Sequence, residues 1–193
     1  MGHGGNIIAT AFDTKEVALQ KYPDIQGNLD LLESSGAKVL FQVDGTKLEK
    51  VKMIKPLTFD FIVFMFPHVG RGIKDIERNI AANQKMISSF FSSAKACMSA
   101  TTQIHVTLKQ VEPYTLWKVK ELAVDNALAC VRSFEFDPAT YPGYVHRRTL
   151  GFEPGLSREQ NEELIGKGCR TFCFSFAGLK AKRRAKEESS DEE

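Results

Sequence analysis

A proline–histidine pair ends the most apolar stretch of the chain. Residues 59–66 are apolar at nearly every position, and Pro67 and His68 follow Phe66 directly. Because proline cannot donate a hydrogen bond to a β-ladder, the predicted strand must end there, which places His68 at the mouth of the sheet. An imidazole in that position can act as a base, a hydrogen-bond donor or a stacking platform, and a capping or loop histidine is the alternative.

Aspartates follow two other predicted strands. Asp13 comes after the strand candidate at residues 6–12, and Asp44 comes after the one at residues 38–43. Ligands of open α/β sheets bind beyond the carboxyl ends of the strands. There, one carboxylate can accept two ribose hydroxyls and another can lie near an adenine edge. The alternative for each aspartate is a helix N-cap or a turn residue.

A loop rich in aromatic and basic side chains is the third candidate. It contains Tyr141, Tyr144, His146, Arg147 and Arg148. Aromatic rings stack on bases, and guanidinium groups fork onto phosphate or carboxylate, so we expect the loop to contact a ligand. A surface hairpin with scattered polar groups is the alternative.

The elements that position these residues alternate between strands and helices. Strand candidates cover residues 6–12, 38–43, 59–66, 103–108, 131–136 and 170–176, and helix candidates cover residues 25–35, 75–98 and 116–129. This alternation predicts an α/β fold with a mainly parallel sheet. Lys109 directly follows the fourth strand. The last two strands have no long helix between them, so we expect an antiparallel pair at one edge.

The composition is that of one globular domain. The chain has 193 residues, of which 42% are hydrophobic and 26% charged. The formal net charge of +2 gives no overall basic field that would indicate nucleic acid. No apolar run reaches the roughly 20 residues that cross a bilayer. We assign residues 1–179 to the folded domain.

The cysteines and the two termini complete this description. The four cysteines match no zinc spacing, and the N-terminus lacks an export signal, which favours reduced thiols in the cytosol or nucleus. Residues 180–193 form a basic block followed by an acidic one, and we expect them to be disordered. Such a segment either directs nuclear import or contacts RNA, or it is simply a solvated tail.

Ordered matches from residue 6 to about residue 176 resemble one family, the eukaryotic 25S ribosomal RNA (uridine-N3)-methyltransferases. The matching residues are Asn6-Ile7-Ile8-Ala9-Thr10 with Asp13, Lys21-Tyr22-Pro23, Val43-Asp44 with Thr46, Phe66-Pro67-His68 with Gly70, Asn83-Gln84, His105-Val106-Thr107-Leu108-Lys109, Pro113-Tyr114 with Trp117, Tyr141-Pro142-Gly143-Tyr144 with His146-Arg147-Arg148-Thr149, and Asn161. The resemblance implies a class I, Rossmann-like methyltransferase fold. It also implies S-adenosylmethionine as cofactor, and methylation of uridine N3 in large-subunit ribosomal RNA.

The resemblance also implies roles for particular residues. Asp13 would face the ribose of the cofactor, Asp44 its adenine edge, and Thr10 would also contribute to this site. Phe66, Pro67 and His68 would form the catalytic turn, with His68 as base or orienting group. Tyr141, Tyr144, His146, Arg147, Arg148 and Lys109 would hold the RNA. The implied partner is ribosomal RNA or a pre-ribosome, without metal or membrane, in the nucleolus or nucleus, with the cytoplasm as alternative.

The sequence departs from the family pattern in two places. The family has a strand and a glycine-rich turn before the strand at residues 6–12, so we expect a sheet without its first strand and with two open strand edges. Met65 stands where the family usually has asparagine. Three interpretations follow. The chain is an incomplete form of an active enzyme, a non-catalytic RNA- or ribosome-assembly-binding relative, or a methyltransferase of another acceptor.

Overall fold

Strands and helices alternate along the chain, as the periodicity predicts. The computed structural model describes residues 4–151 and 161–178, and the predicted tail at residues 180–193 lies outside them. The strands are β1 (Ile8–Thr10), β2 (Lys38–Leu40), β3 (Phe59–Met65), β4 (Met98–Leu108), β5 (Leu128–Glu135) and β6 (Arg170–Phe176). The α-helices are α1 (Lys15–Lys21), α2 (Ile25–Ser34), α3 (Ile76–Ala94) and α4 (Val119–Asp125).

The strands form two sheets. β1 and β2 pair in parallel, from Ile8 opposite Lys38 to Thr10 opposite Leu40. The larger sheet has the order β3-β4-β6-β5, in which β3 and β4 are parallel and β6 is antiparallel to both of its neighbours. β3, β4 and β5 therefore run in one direction. This confirms the expected α/β fold, mostly parallel with an antiparallel pair at the C-terminal edge.

β1 and β3 belong to separate sheets, in agreement with the expectation that no strand joins them. Apolar side chains of β3 are open to solvent on one face, where Phe61 is 59% and Val63 57% exposed. A strand that is apolar at nearly every position is typically buried on both faces. That interpretation is wrong for β3, because α3 and α4 cover only the opposite face within the described residues.

The main core lies between the larger sheet and the two helices α3 and α4. Its fully buried members include Ile87 and Phe91 of α3, Ile104 and Val106 of β4, and Phe174 of β6. Asp75 caps α3 by accepting a hydrogen bond from the Arg78 N–H at 2.8 Å. The core thus fixes the adjacent strands β3 and β4, whose carboxyl ends carry the candidate catalytic residues.

Several element boundaries differ from the sequence-based expectation. α3 ends at Ala94 rather than at residue 98, because β4 begins at Met98 and extends over 11 residues. α4 begins only at Val119, because Lys118 lies in the left-handed region with φ 53°. Helix α1 is absent from the sequence-based prediction. Thr14 caps it through a hydrogen bond from the Val17 N–H.

The smaller sheet is attached to the larger through α3. The 3₁₀ segment Gly45–Lys50, which follows β2, packs along this helix. The Ser93 hydroxyl of α3 accepts a hydrogen bond from the Leu48 N–H and donates one to the Glu49 carboxylate. Leu48 itself is buried in the main core. The two sheets therefore share one core although their strands do not pair.

Candidate active site at the carboxyl ends of the strands

The chain turns sharply at the end of β3. Phe66 has φ 48°, in the left-handed region that non-glycine residues rarely adopt, and its N–H donates to the Thr107 carbonyl at 2.9 Å. Its ring makes edge-to-face contacts with Phe136 and His146, with centroids 5.4 and 4.7 Å apart. Backbone strain of this kind costs about 1–3 kcal/mol and persists where the surroundings enforce it, typically at functional sites.

His68 lies in this turn and presents a hydrogen-bond donor. Its Nδ1 accepts a hydrogen bond from the Gly70 N–H at 2.9 Å, so a neutral ring carries its proton on Nε2. Burial, with the charges of Arg148 and Lys109, lowers the pKa of His68, so the ring is neutral near pH 7. Of the roles that sequence reasoning gave His68, this geometry favours the orienting donor over the base.

The turn is held from two sides. Asn83 of α3 is fully buried; its side-chain oxygen accepts from the Val69 N–H at 3.0 Å, and its amide donates to the Asn79 carbonyl at 2.9 Å. On the other side, Gly70 has φ 61°, and a Cβ there would lie 2.7 Å from the Thr149 methyl carbon. Asn83 was not predicted as a site residue; an amide on the apolar face of a predicted helix is the signal that could have indicated it.

Lys109 and Arg148 meet at one carboxylate. Lys109 Nζ lies 3.6 Å from Glu163 Oε2, and Arg148 Nε lies 3.8 Å from Glu163 Oε1. The side chain of Lys109 is only 10% exposed and its ammonium lies 5.6 Å from the centre of the Tyr114 ring. Burial lowers the pKa of Lys109, and Glu163 opposes this effect. Glu163 is a site residue that sequence reasoning missed.

Tyr144 and His146 turn inwards rather than towards solvent. Asn161 ties them together by accepting from the His146 N–H at 2.8 Å and donating to the Tyr144 carbonyl at 3.0 Å. Burial raises the pKa of Tyr144 to about 12, and burial and the Lys109 charge lower the pKa of His146 to about 4. Both side chains are therefore neutral at physiological pH.

Tyr141 and Arg147 lie at the periphery. The Tyr141 ring stacks on Phe136 at a centroid distance of 5.2 Å and is 44% exposed, so its free face can receive a base. Arg147 forms an ion pair with Asp24, and both residues line a cavity of about 250 Å³ between the α1–α2 connection and the loop. Arg147 is thus directed away from Glu163, which pairs with its neighbour Arg148.

Asp13 and Asp44 follow the two strands of the smaller sheet, as predicted. Asp13 Oδ2 pairs with Lys21 Nζ at 2.8 Å. Asp44 accepts from the Thr46 N–H and hydroxyl at 2.9 and 2.6 Å and pairs with Lys47 at 2.8 Å. Burial disfavours the charged form of Asp44, but the hydrogen bonds from Lys47 and Thr46 outweigh it and lower its pKa. Both aspartate side chains stay partly exposed, at 23% and 32%.

Thr10 ends β1 and is exposed, on the same side of the smaller sheet as the two aspartates. The Gln42 N–H donates to the Asp13 carbonyl at 3.1 Å, which joins the segments after β1 and β2. A carboxylate offers about four lone-pair positions, and Asp13 uses one of them for Lys21. The carboxyl end of the smaller sheet, with Thr10, Asp13 and Asp44, therefore fits a ligand that has hydroxyl or amine donors, as an adenosine does.

The Tyr22 side chain connects the end of α1 to the loop at residues 141–149. Its hydroxyl donates to the Arg148 carbonyl at 3.1 Å.

Within residues 4–151 and 161–178, no group of three or more His, Cys, Asp or Glu side chains could hold a metal ion. No helix of the same residues is long and apolar enough to cross a membrane. The four cysteines are free.

The chain is similar to proteins of known family. A family model described as BMT5-like, rRNA (uridine-N3-)-methyltransferase, matches residues 1–148. Over 196 residues the chain is 31% identical to the 25S rRNA (uridine(2634)-N(3))-methyltransferase of Saccharomyces cerevisiae, with 75% of this chain and 58% of the yeast protein covered.

Two other similarities differ in kind. The chain is 30% identical over 177 residues to heavy metal-associated isoprenylated plant protein 41 of Arabidopsis thaliana; the match covers 91% of this chain and a third (33%) of that protein. The solved structure of a glycopeptide N-methyltransferase complexed with sinefungin matches with a TM-score of 0.50 at 8% identity, over 89% of this chain and 77% of that one. This last likeness is one of fold.

Proposed function

Because the chain belongs to the BMT5-like family of rRNA (uridine-N3-)-methyltransferases, we propose that it methylates N3 of uridine in large-subunit (25S) ribosomal RNA. One observation carries the proposal. The strained turn after β3 and the end of β4 bring together a neutral imidazole donor, His68, and a buried cation, Lys109. An imide has two carbonyl oxygens, one on each side of its nitrogen, and these oxygens can accept hydrogen bonds from such a pair of donors.

S-adenosylmethionine is the proposed cofactor, held by Thr10, Asp13 and Asp44. The two carboxylates suit the ribose hydroxyls and the adenine edge, since they lie at neighbouring strand ends and keep acceptor positions open to solvent. When bound, this group supplies the sulfonium methyl that is transferred. Lys21 and Lys47 hold the two carboxylates in place at 2.8 Å each.

The residues around the turn act by positioning. Phe66 and Pro67 place His68 so that Nε2–H points a donor at a carbonyl oxygen of the base, and burial keeps His68 and His146 neutral. A uridine must leave a helix to reach such a site, and the exposed face of Tyr141 offers a stacking surface for an extruded or neighbouring base. Correct placement of the reacting atoms supplies most of the expected acceleration.

The loop at residues 141–149 is the proposed RNA-binding segment. Arg147 and Arg148 are 40% and 36% exposed, so both reach phosphates. Tyr144 and His146 form the buried inner part of the loop. The partner would be ribosomal RNA within a pre-ribosome in the nucleolus or nucleus. We further propose that residues 1–179 form the methyltransferase-like domain and residues 180–193 a charged tail.

A non-catalytic RNA-binding role is the second candidate. The observation that favours it is the separation of β1 and β2 from the larger sheet, because the cofactor carboxylates and the catalytic turn then lie on different sheets. The chain spans 33% of the length of the plant relative and 58% of the length of the yeast relative described above.

A methylation assay decides between these functions. The purified chain is incubated with S-adenosylmethionine and a 25S ribosomal RNA fragment, and the digested nucleosides are separated by mass. N3-methyluridine that disappears in a His68→Ala variant would support the enzyme. RNA binding without N3-methyluridine, in a chain that also fails to bind the cofactor by calorimetry, would support the second candidate. A methyl group on another atom would overturn the uridine-N3 assignment.

A further inference from the structure

Lys109 is more deeply buried than a phosphate-binding lysine needs to be. Its side chain is 10% exposed, whereas Arg148 and Arg147 of the proposed RNA-binding loop are 36% and 40% exposed. The two arginines can meet the RNA backbone from solvent. A cation at the depth of Lys109 is reached only by a group that enters the site, and in the proposed function that group is the target base.

We infer that Lys109, positioned by Glu163, hydrogen-bonds a carbonyl oxygen of the target uracil and stabilises the negative charge that the base carries when N3 loses its proton. The inference rests on the proposed function and assigns the two side chains a role in it. Lys109 touches the reacting base, and Glu163 acts through Lys109.

The donor count leaves room for this contact. A lysine ammonium has three N–H donors and no acceptor. Among the described residues, Glu163 is the one carboxylate within 4.0 Å of Lys109 Nζ, and the distance of 3.6 Å is long for a charge-assisted hydrogen bond. Because a buried charge is costly unless it is paired and hydrogen-bonded, an oxygen acceptor entering the site lowers the free energy of this lysine.

The surroundings of Lys109 are otherwise weakly polar or cationic. Six titratable or charged groups face Lys109. They are Glu163, Tyr114 and Cys169, His68 of the turn after β3, and His146 and Arg148 of the loop. Glu163 offsets one of the two full positive charges, since it lies between Lys109 and Arg148. The cluster of these three side chains therefore keeps one net positive charge, which favours an anionic base over a neutral one.

The chemistry balances with this assignment. The N3–H bond breaks, its proton passes to water, and the electron pair stays on the base, shared by N3 and the two carbonyl oxygens. The N3 pair then forms the new N–C bond while the methyl–sulfur bond breaks and its electrons return to sulfur. His68 cannot take the proton through Nε2, because that atom already carries one; it donates to a carbonyl of the same base.

Affinity for an ionised base tests the inference without requiring turnover. The probes are short single-stranded RNAs of adenosine and cytidine with one central 5-fluorouridine, uridine or N3-methyluridine. Fluorine acidifies the N3 proton, whereas the N3-methylated base cannot ionise. Binding by fluorescence anisotropy is followed from about pH 6.5 to about pH 8.5, a range chosen for the loss of the acidified N3 proton.

We expect the 5-fluorouridine RNA to bind about tenfold more tightly than the N3-methyluridine RNA at the upper pH, with the difference shrinking as the pH falls. Lys109→Met should abolish the pH-dependent part, and Glu163→Gln should reduce it while Glu163→Asp restores it in part. Lys85→Met, the same change at an exposed position of α3, is the matched control and should keep it.

An equal affinity of the wild-type chain for the three RNAs at every pH would overturn the inference, whether or not the variants fold. So would an unchanged pH dependence in Lys109→Met. The methylation assay separates this from the proposed function. Preference for the ionised base without methyl transfer contradicts the proposed function alone, and N3-methyluridine formation without that preference contradicts the role of Lys109 alone.

Discussion

Gly70 allows a sharp test of how the turn after β3 is held. Two separate features require glycine there: a positive φ of 61°, and a Cβ position only 2.7 Å from the Thr149 methyl carbon and 3.3 Å from Thr149 Cβ. Gly72 has the same φ of 61°, but a Cβ there would meet nothing within 4 Å. The substitutions Gly70→Ala and Gly72→Ala therefore differ in the steric contact and share the backbone cost.

The magnitudes follow from these two features. A left-handed conformation costs an alanine about 1–2 kcal/mol, and this applies to both variants. The gain from a stiffer unfolded chain, about 0.4–1 kcal/mol, also applies to both. Forcing a methyl group into a filled contact costs a further 1–3 kcal/mol or so, and this applies to Gly70→Ala alone. We expect Gly70→Ala to lower the free energy of unfolding by about 1–3 kcal/mol more than Gly72→Ala does.

Urea unfolding followed by circular dichroism measures these differences. Thr149→Ser removes the methyl carbon at 2.7 Å, so the Gly70→Ala/Thr149→Ser double variant should recover most of the steric cost. The wild type, Gly70→Ala, Thr149→Ser and the double variant form a double-mutant cycle. RNA affinity, measured in parallel, should fall in Gly70→Ala and return in the double variant. The turn and the loop would not be in contact if Gly70→Ala and Gly72→Ala were equally stable, or if Thr149→Ser gave no rescue.

Three further predictions concern the aspartate edge, the loop and the buried imidazole. Asp44→Asn, which keeps an oxygen for the cap on Thr46, should weaken S-adenosylmethionine binding by about 1–3 kcal/mol in calorimetry, and unchanged affinity would remove Asp44 from the site. Arg147→Ala together with Arg148→Ala should reduce the slope of log affinity against log salt by about two for RNA, whereas an unaltered slope would make the loop structural. The pKa of His146 is about 4 in the folded chain and near 6.5 when unfolded, so the unfolded state binds the extra proton first. The contribution of neutral His146 to the free energy of unfolding should therefore be fully present above about pH 6.5 and be lost as the pH falls towards about 4. In urea titrations, His146→Gln should reduce this dependence of stability on pH.

The sequence carried enough information for strand identity and for most strand ends. Pro67 ends β3 because it cannot join a ladder, and this placed His68 at the sheet mouth, as observed. The end of α3 and the start of β4, near residues 95–102, were harder to predict from the sequence. Phe90 and Phe91 continue the apolar periodicity of α3, while Thr102, which donates to the Phe59 carbonyl, draws the following residues into β4. That choice depends on a contact across 43 residues.

The candidate site was predicted in its residue types but not in its pairings. Lys109 and Arg148 were expected to contact RNA, and nothing local to either indicates that both meet Glu163. Arg147 and Arg148 are neighbours with the same side chain, yet they pair with carboxylates on different elements. Such partners are set by tertiary packing, which no local periodicity encodes. The tautomer of His68 likewise depends on the backbone path through Gly70.

The division of the strands into two sheets has a consequence for local stability. β1 and β2 share a ladder of only three residue pairs, whereas β4 and β6 each pair with two neighbouring strands and supply fully buried side chains to the core. Amide hydrogens of β1 and β2 should therefore exchange through openings of lower free energy than those of β4 and β6. A ligand at Asp13 and Asp44 acts on this unit first. At about 100 times its dissociation constant, it would add roughly 2.7 kcal/mol of protection where the chain is weakest. The smaller sheet is thus the part of the molecule whose order depends most on what it binds.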